Sequence, residues 1–414
     1  MKVAIVGGGI TGLAAAHYLS QKGVRVKLFE QKNKLGGLSA CFNHKGFYLE
    51  NFVHHFFQSD TEASSLIKEL GLTKYLIWKT PANAIFYNNK TYPFTTPIDL
   101  LKFSSMQMPE IFRFGLISLY LKAQKNFSVF EKYSAEDWLL KYMGEKSYYI
   151  IWKPLLKKKF GKNYKEISMA WFWARIHYRS RKLGYLMGGL EKMINGLAKK
   201  INQNNGEIVV NSKINNLEDL NKKFDKILIT TAPQITIKIG KNLLPSSYVA
   251  SLQRIKYYST LCLVLFLNRK ILKNTYWLNV NDYKIPFLLL AEHTNFINKG
   301  HYNGNNIVYL GAYQNLQNNI LNITPQALFK KWTPFINKIN SEFNDSWVNS
   351  YKIFKAKYAQ PVVNVGYKNQ MPSFQTPAKN VYYSAMCSIY PQDRGVNYAV
   401  KLGKESAERL INGK

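Results

Sequence analysis

The sequence predicts an α/β chain in two parts: a parallel sheet with flanking helices, and a discontinuous α+β domain with an antiparallel sheet and a helical insertion. Three observations predict it. Lys2–Val6 is a short apolar run, followed by a glycine-rich turn, a helical pattern ending at Gly23 and a second apolar run over 24–29. That β-α-β alternation demands parallel strands. Runs of the same buried-strand character return at 224–233 and 380–386, and 206–219 reads as a strand pair, so the parallel sheet is assembled from separated stretches. Between them, 258–268, 275–280, 287–291 and 307–313 are strand-length blocks with no helical crossover, the pattern of antiparallel pairing.

Length and composition set the bounds. A chain of 414 residues suffices for two or three domains, and 46% hydrophobic against 20% charged residues is a globular balance. Cys41, Cys262 and Cys387 are odd in number and scattered, so neither a disulfide framework nor a zinc site is expected, and a reducing cytoplasm fits best. No apolar run approaches the roughly 18 residues that span a bilayer, and the apolar stretch beginning at Val3 is too short for a signal-peptide core. Secreted and membrane-spanning classes are therefore not expected.

The net charge of +33 has two readings: attraction to an anionic membrane or substrate, or compositional drift toward lysine. Nothing resembles a nucleic-acid module, and no specific nucleic-acid partner is expected. The basic residues concentrate over 153–182, with ten Lys or Arg and one acid, Glu166.

The turn after the first strand reads Gly7-Gly8-Gly9-Ile10-Thr11-Gly12, the GxGxxG spacing. Gly7 permits the tight turn, Gly9 lets backbone approach a pyrophosphate, and Gly12 lets helix pack on strand. The helix start offers free amides and partial positive charge to phosphates. Glu30 ends the second strand, placed to accept hydrogen bonds from an adenosine ribose. Together they form a Rossmann-like dinucleotide-binding unit.

Glu30 is followed by Gln31 and, six residues after the acid, by the pair Gly36-Gly37 with Leu38 and Ser39. This extension resembles the motif of flavin oxidoreductases related to amine oxidases, phytoene desaturases and protoporphyrinogen oxidase. Stretches 185–233 and 380–411 resemble the same superfamily, the last as its second flavin motif. The resemblance implies FAD, held by Gly7, Gly8, Gly9, Thr11, Gly12, Glu30, Gln31, Gly36, Gly37, Leu38 and Ser39. It adds Ile214 at the adenine edge and Met386, Arg394, Gly395, Val396 and Asn397 at the second motif, where the helix N-terminus would face the flavin. The stripe Gly395, Ala399, Gly403, Ala407 should pack that helix on the sheet. The sequence departs from the family pattern in two places. Phe52 stands where relatives have glycine two residues before His54, and Ala385-Met386 replaces the usual Gly-Asp. The expected boundaries are 1–57, 185–240 and 375–414 for the FAD-binding domain, and 58–184 and 241–374 for the substrate domain.

In the expected substrate domain, His293 and Tyr313 end neighbouring strands and are candidates to face substrate. His54 is a third candidate, and each has a structural alternative. Residues 106–124 are mostly apolar and either pack inside the domain or dip into a bilayer interface. The expected activity is FAD-dependent dehydrogenation of a fairly apolar small molecule by hydride transfer to flavin N5, the substrate being apolar or anionic. The alternatives are a flavin-dependent mutase resembling UDP-galactopyranose mutase, and a non-catalytic flavoprotein peripherally associated with membranes.

Overall fold

A computed structural model of the chain describes residues 1–413. It divides into two compact units, one of Met1–Ile77, Gly184–Lys256 and Tyr367–Lys414, the other of Trp78–Leu183 and Tyr257–Gly366. Residues 58–77, 241–256 and 367–374, expected in the substrate domain, lie in the first unit.

The first unit is built on a five-stranded parallel sheet, ordered Glu207–Val209, Arg25–Phe29, Lys2–Val6, Lys226–Ile229, Val381–Tyr383. Val3, Ala4, Ile5, Ile227, Leu228 and Ile229 are fully buried, which explains why these strands read as continuous apolar runs. The expected strand pair beyond Gly206 is one strand only. After Val209 the chain turns away, with Asn211 at positive φ and Ser212 N–H bonding the Glu30 carbonyl, so Ile214 sits in a loop.

Helix Ile10–Gln21 packs against the C-terminal helix Val396–Asn412. Gly403 of the latter therefore meets a helix rather than the sheet. A Cβ on Gly403 would lie 2.5 Å from the Thr11 carbonyl oxygen and 2.7 Å from Ala14 Cβ, so only glycine allows this approach. Helix Thr61–Glu69 follows Asp60, and the Asp60 side chain does not cap it. Its carboxylate accepts from Phe57 N–H at 2.8 Å, and Asn397 Oδ1 takes the Ala63 amide at 3.0 Å instead.

The second unit carries a seven-stranded sheet, ordered Val348–Pro361, Tyr257–Leu267, Asn306–Asn315, Leu289–Glu292, Thr275–Val280, Ala82–Tyr87, Lys90–Pro93. It is antiparallel except where Thr275–Val280 runs parallel to Ala82–Tyr87. Asn88-Asn89 joins the last two strands in that order, with φ of 48° and 57°, as a two-residue primed turn requires. Tyr257–Leu267 is buried along its whole length, and Trp332 of helix Pro325–Ile339 is among the side chains packed into the same core. The helical insertion includes Met108–Ala123, Ala135–Tyr142, Lys153–Phe160 and Met169–His177. Trp171 and Trp173 are buried core residues of the last of these.

Candidate functional site

The glycine-rich turn of the first unit forms a cradle. Gly7 has φ +115°, a conformation side chains rarely adopt, and Thr230 Oγ1 donates to the Val6 and Gly7 carbonyls at 3.1 Å. Gly9 is the extended residue before the first helix, and the first backbone bond of the helix runs from Leu13 N to its carbonyl at 2.9 Å. The amides of Ile10, Thr11 and Gly12 thus have no partner four residues back and face outward with the positive end of the helix dipole. A Cβ on Gly12 would lie 2.0 Å from the Gly7 carbonyl oxygen, whereas a Cβ on Gly9 would meet nothing within 4 Å. Gly12 is therefore required by the fold, and Gly9 borders open space.

The second glycine pair completes the cradle. Gly36 N–H donates to the Gly8 carbonyl at 2.7 Å, and Gly36 and Gly37 have φ of 101° and 58°. A Cβ on Gly37 would come within 3.2 Å of Gly9 Cα, so the two turns lie backbone against backbone. Gln31 is exposed, Leu38 half-buried and Ser39 buried beside this turn. Glu30 is buried, its carboxylate accepting from Gly8 N–H at 2.8 Å and Lys32 N–H at 2.9 Å. Each oxygen keeps a second lone pair for a ribose hydroxyl. Open amides, an open face at Gly9 and a backbone-held carboxylate fit the diphosphate and ribose of a dinucleotide.

At the other end of this unit, Ala385 precedes a short turn, Met386–Ser388, and Gly395 precedes the C-terminal helix. Ala399 N bonds the Gly395 carbonyl at 3.0 Å, so the amides of Val396, Asn397 and Tyr398 are the open ones of the first turn. Asn397 was expected to face cofactor. Its side-chain oxygen is engaged by the Ala63 amide, leaving its N–H groups as the donors that can serve there. His54 lies within electrostatic reach of Arg394. Its Nδ1–H donates to the Phe52 carbonyl at 2.5 Å, and burial lowers its pKa to about 4, with Arg394 adding a little. The imidazole is neutral at pH 7, leaving Nε2 as an acceptor.

Sequence reasoning missed the structural use of Glu50. It is buried, accepts from Tyr185 Oη at 3.1 Å and Leu190 N–H at 2.9 Å, and lies against Gly189. Burial raises its pKa to about 7. Its only sequence signal was its place in the motif before His54.

In the second unit, His293 does not line a cleft. It is 1% exposed, in the turn after Leu289–Glu292, with Nε2 2.7 Å from Tyr302 Oη and its ring against Tyr302 and Tyr309. Burial lowers its pKa to about 3. This is the environment of a structural histidine, and the expectation of a substrate-facing base is corrected accordingly. Tyr313, by contrast, lines a cavity of about 340 Å³ with Lys157, Lys158 and Tyr258. Among the described residues no group of His, Cys, Asp and Glu could hold a metal ion, and no helix is long and apolar enough to cross a membrane.

A parallel sheet whose first turn and C-terminal helix both present free helix N-termini defines a dinucleotide-dependent protein of the Rossmann type. The profile of the flavin containing amine oxidoreductase family matches residues 10–411, so the chain belongs to that family of flavin-containing proteins. It is similar to 15-cis-phytoene desaturase of Synechococcus elongatus, 30% identical over 34% of this chain and 33% of the relative. It is also similar to coproporphyrinogen III oxidase of Staphylococcus aureus, 34% identical over 22% of this chain and 20% of the relative. The matches thus span a third or less of these curated relatives. Reduced UDP-galactopyranose mutase shares the fold, with a TM-score of 0.77 and 15% identity over the whole of this chain and 96% of that one.

Proposed function

We propose that the protein dehydrogenates a fairly apolar small molecule, the bound FAD accepting the hydride at N5. The observation that supports a flavin reaction is the intact cradle, with Gly9 opening onto free space and Glu30 locked by two backbone amides. In this reading the amides of Ile10, Thr11 and Gly12 hold the pyrophosphate and Glu30 accepts from the ribose. The Gly36-Gly37 turn orders the chain beside them. Val396 and Asn397 present backbone N–H groups at a helix N-terminus, where they would stabilise negative charge on the cofactor. His54, kept neutral, cannot add a competing positive charge and offers Nε2 as an acceptor.

An apolar substrate is supported by the surface of the second unit. In helix Met108–Ala123, Phe112, Leu116 and Leu119 are 65%, 66% and 67% exposed, and Met108 is half exposed, at i, i+4, i+8 and i+11. Ile98 and Leu101 of the preceding helix Pro97–Leu101 are exposed as well. The opposite side, Ile111, Phe114 and Leu121, is buried, so this helix is apolar on both sides. A solvent-facing apolar stripe flanked by Lys102, Lys122 and Lys125 suits the headgroup boundary of an anionic bilayer. Peripheral association there would give access to a lipid-dissolved substrate.

The likeness to reduced UDP-galactopyranose mutase favours a second reading, a reaction that needs reduced flavin and leaves the substrate with no net oxidation. Anaerobic mixing separates the two. The oxidised holoprotein should be bleached by one member of a panel of amines, porphyrinogens and carotenoid precursors. Turnover of a nucleotide sugar only after prior reduction, with no bleaching by any of the others, would select the mutase.

A further inference from the structure

The second unit contains a lysine-rich site that the flavin chemistry does not use. Helix Lys153–Phe160 and the turn after it, starting at Gly161, place Lys157, Lys158 and Lys162 on the cavity of about 340 Å³. No carboxylate lines that cavity. A second cavity of about 550 Å³ adjoins it, sharing Lys157 and Tyr283, and adds Lys153, Lys284 and Lys338 against a single acid, Asp282. Among the described residues none of these six ammonium groups lies within ion-pair distance of a carboxylate. Five ammonium groups and the Lys158 amine, all exposed or half-buried, surround two joined hollows with one negative charge, and their positive charges repel one another.

The walls are ordered. Gly161, at φ +49°, lets the Tyr258 hydroxyl approach so closely that a Cβ there would lie 2.6 Å from it, and that hydroxyl donates to Asn163 Oδ1 at 3.2 Å. Lys158 is held by the Val280 and Phe287 carbonyls at 2.8 and 3.0 Å. Burial brings its pKa down to about 7, with Asp282 acting in the opposite sense. Lys157 lies over the Tyr283 ring, 5.2 Å from its centroid, and Tyr283 is half exposed.

We propose that these joined cavities bind a ligand bearing a diphosphate or comparable phosphate group, gripped by Lys157, Lys158 and Lys162, with its adjoining portion against Tyr283. Lysines act as point charges on flexible stems, and several can converge on one multiply charged group. A lone carboxylate would neutralise only one of them. The phosphate can belong to a soluble compound or to a lipid headgroup.

The test uses holoprotein and inorganic pyrophosphate, followed by calorimetry at constant ionic strength. One saturable site is expected. The Lys157→Ala/Lys162→Ala double variant should bind at least tenfold more weakly while keeping its FAD content and cooperative melting. A control pair of exposed lysines in the first unit, Lys368→Ala/Lys379→Ala, should bind as the parent does. Competition by phosphatidic acid vesicles, lost in the same double variant, identifies a lipid source, and its absence identifies a soluble one; both outcomes support the site. Absence of saturable pyrophosphate binding, or equal weakening in the control pair, overturns it. Because binding alone is read, the result stands whatever the flavin reaction proves to be.

Discussion

Replacing Gly9 by valine separates a residue needed by the cofactor from residues needed by the fold. Gly9 has φ −73° and ψ 175°, a backbone conformation valine adopts freely, and its Cβ would meet nothing within 4 Å. Losing a glycine from the unfolded chain stabilises by about 0.4–1 kcal/mol, and the poorer helix cap offsets roughly that amount. The variant should therefore melt within about 1 kcal/mol of the parent. Its side chain would fill the path of the pyrophosphate and push it off the amides of residues 10–12. Hydrogen bonds to charged groups contribute about 1.5–3 kcal/mol each, so losing two costs roughly 3–6 kcal/mol, or two to four orders of magnitude in FAD affinity. Gly12→Ala is the contrast. Its Cβ would lie 2.0 Å from the Gly7 carbonyl, so both stability and FAD should be lost. FAD content per chain, read after denaturation, and melting temperature of the apoprotein decide the matter. Full FAD occupancy in Gly9→Val, or a loss of stability equal to that of Gly12→Ala, would refute the assignment of this space to the pyrophosphate.

Glu30→Gln keeps an acceptor for the Gly8 amide but removes the charge. FAD should bind roughly ten- to a hundredfold more weakly, the equivalent of one charged hydrogen bond, and an unchanged dissociation constant would remove Glu30 from the ribose. Glu292 is buried, accepts from Ile271, Leu272 and Thr294, and burial raises its pKa from 4.5 to about 7. The native state therefore keeps a proton that the unfolded chain loses between about pH 4.5 and 7, and stability falls as pH rises through that window. Glu292→Gln should be more stable than the parent above pH 7, by up to about 3 kcal/mol, and indistinguishable near pH 4; denaturant titrations at pH 4 and 8 would show the opposite ordering if the carboxylate were stabilising. His293→Ala should lower stability by roughly 2–4 kcal/mol yet leave the rate of flavin reduction per folded, loaded molecule unchanged; a slowed rate would return His293 to the reaction. Leu116→Glu should leave melting unchanged and abolish the salt-resistant part of binding to anionic liposomes, since burying such a side chain contributes about 1.5–3 kcal/mol; complete release of the parent by salt would leave only diffuse charge attraction.

The parallel sheet was legible because its central strands Lys2–Val6 and Lys226–Ile229 are almost wholly buried and read as apolar runs, with Gly12 forced by a 2.0 Å approach. The hairpin at Asn88-Asn89 was legible because both residues tolerate positive φ. Val348–Pro361 was not read, although it is 14 residues long and pairs along Tyr257–Leu267. It is an edge strand whose Lys352, Lys355 and Lys357 suit exposure at an edge, and polarity hid its alternation. At the site, residue type could suggest His293 but not its surroundings, because its burial depends on how the following turn and strand fold Tyr302 and Tyr309 back onto its ring. Asn397 shows the same limit: its motif was visible, and its use as a cap for another helix was not.

Anaerobic titration of the oxidised holoprotein with its substrate tests the central claim most directly. Loss of the visible flavin absorbance should be complete at one equivalent, with one product two hydrogens lighter by mass formed per flavin reduced. Product of unchanged mass, formed only after the flavin has been reduced by another agent, would contradict it.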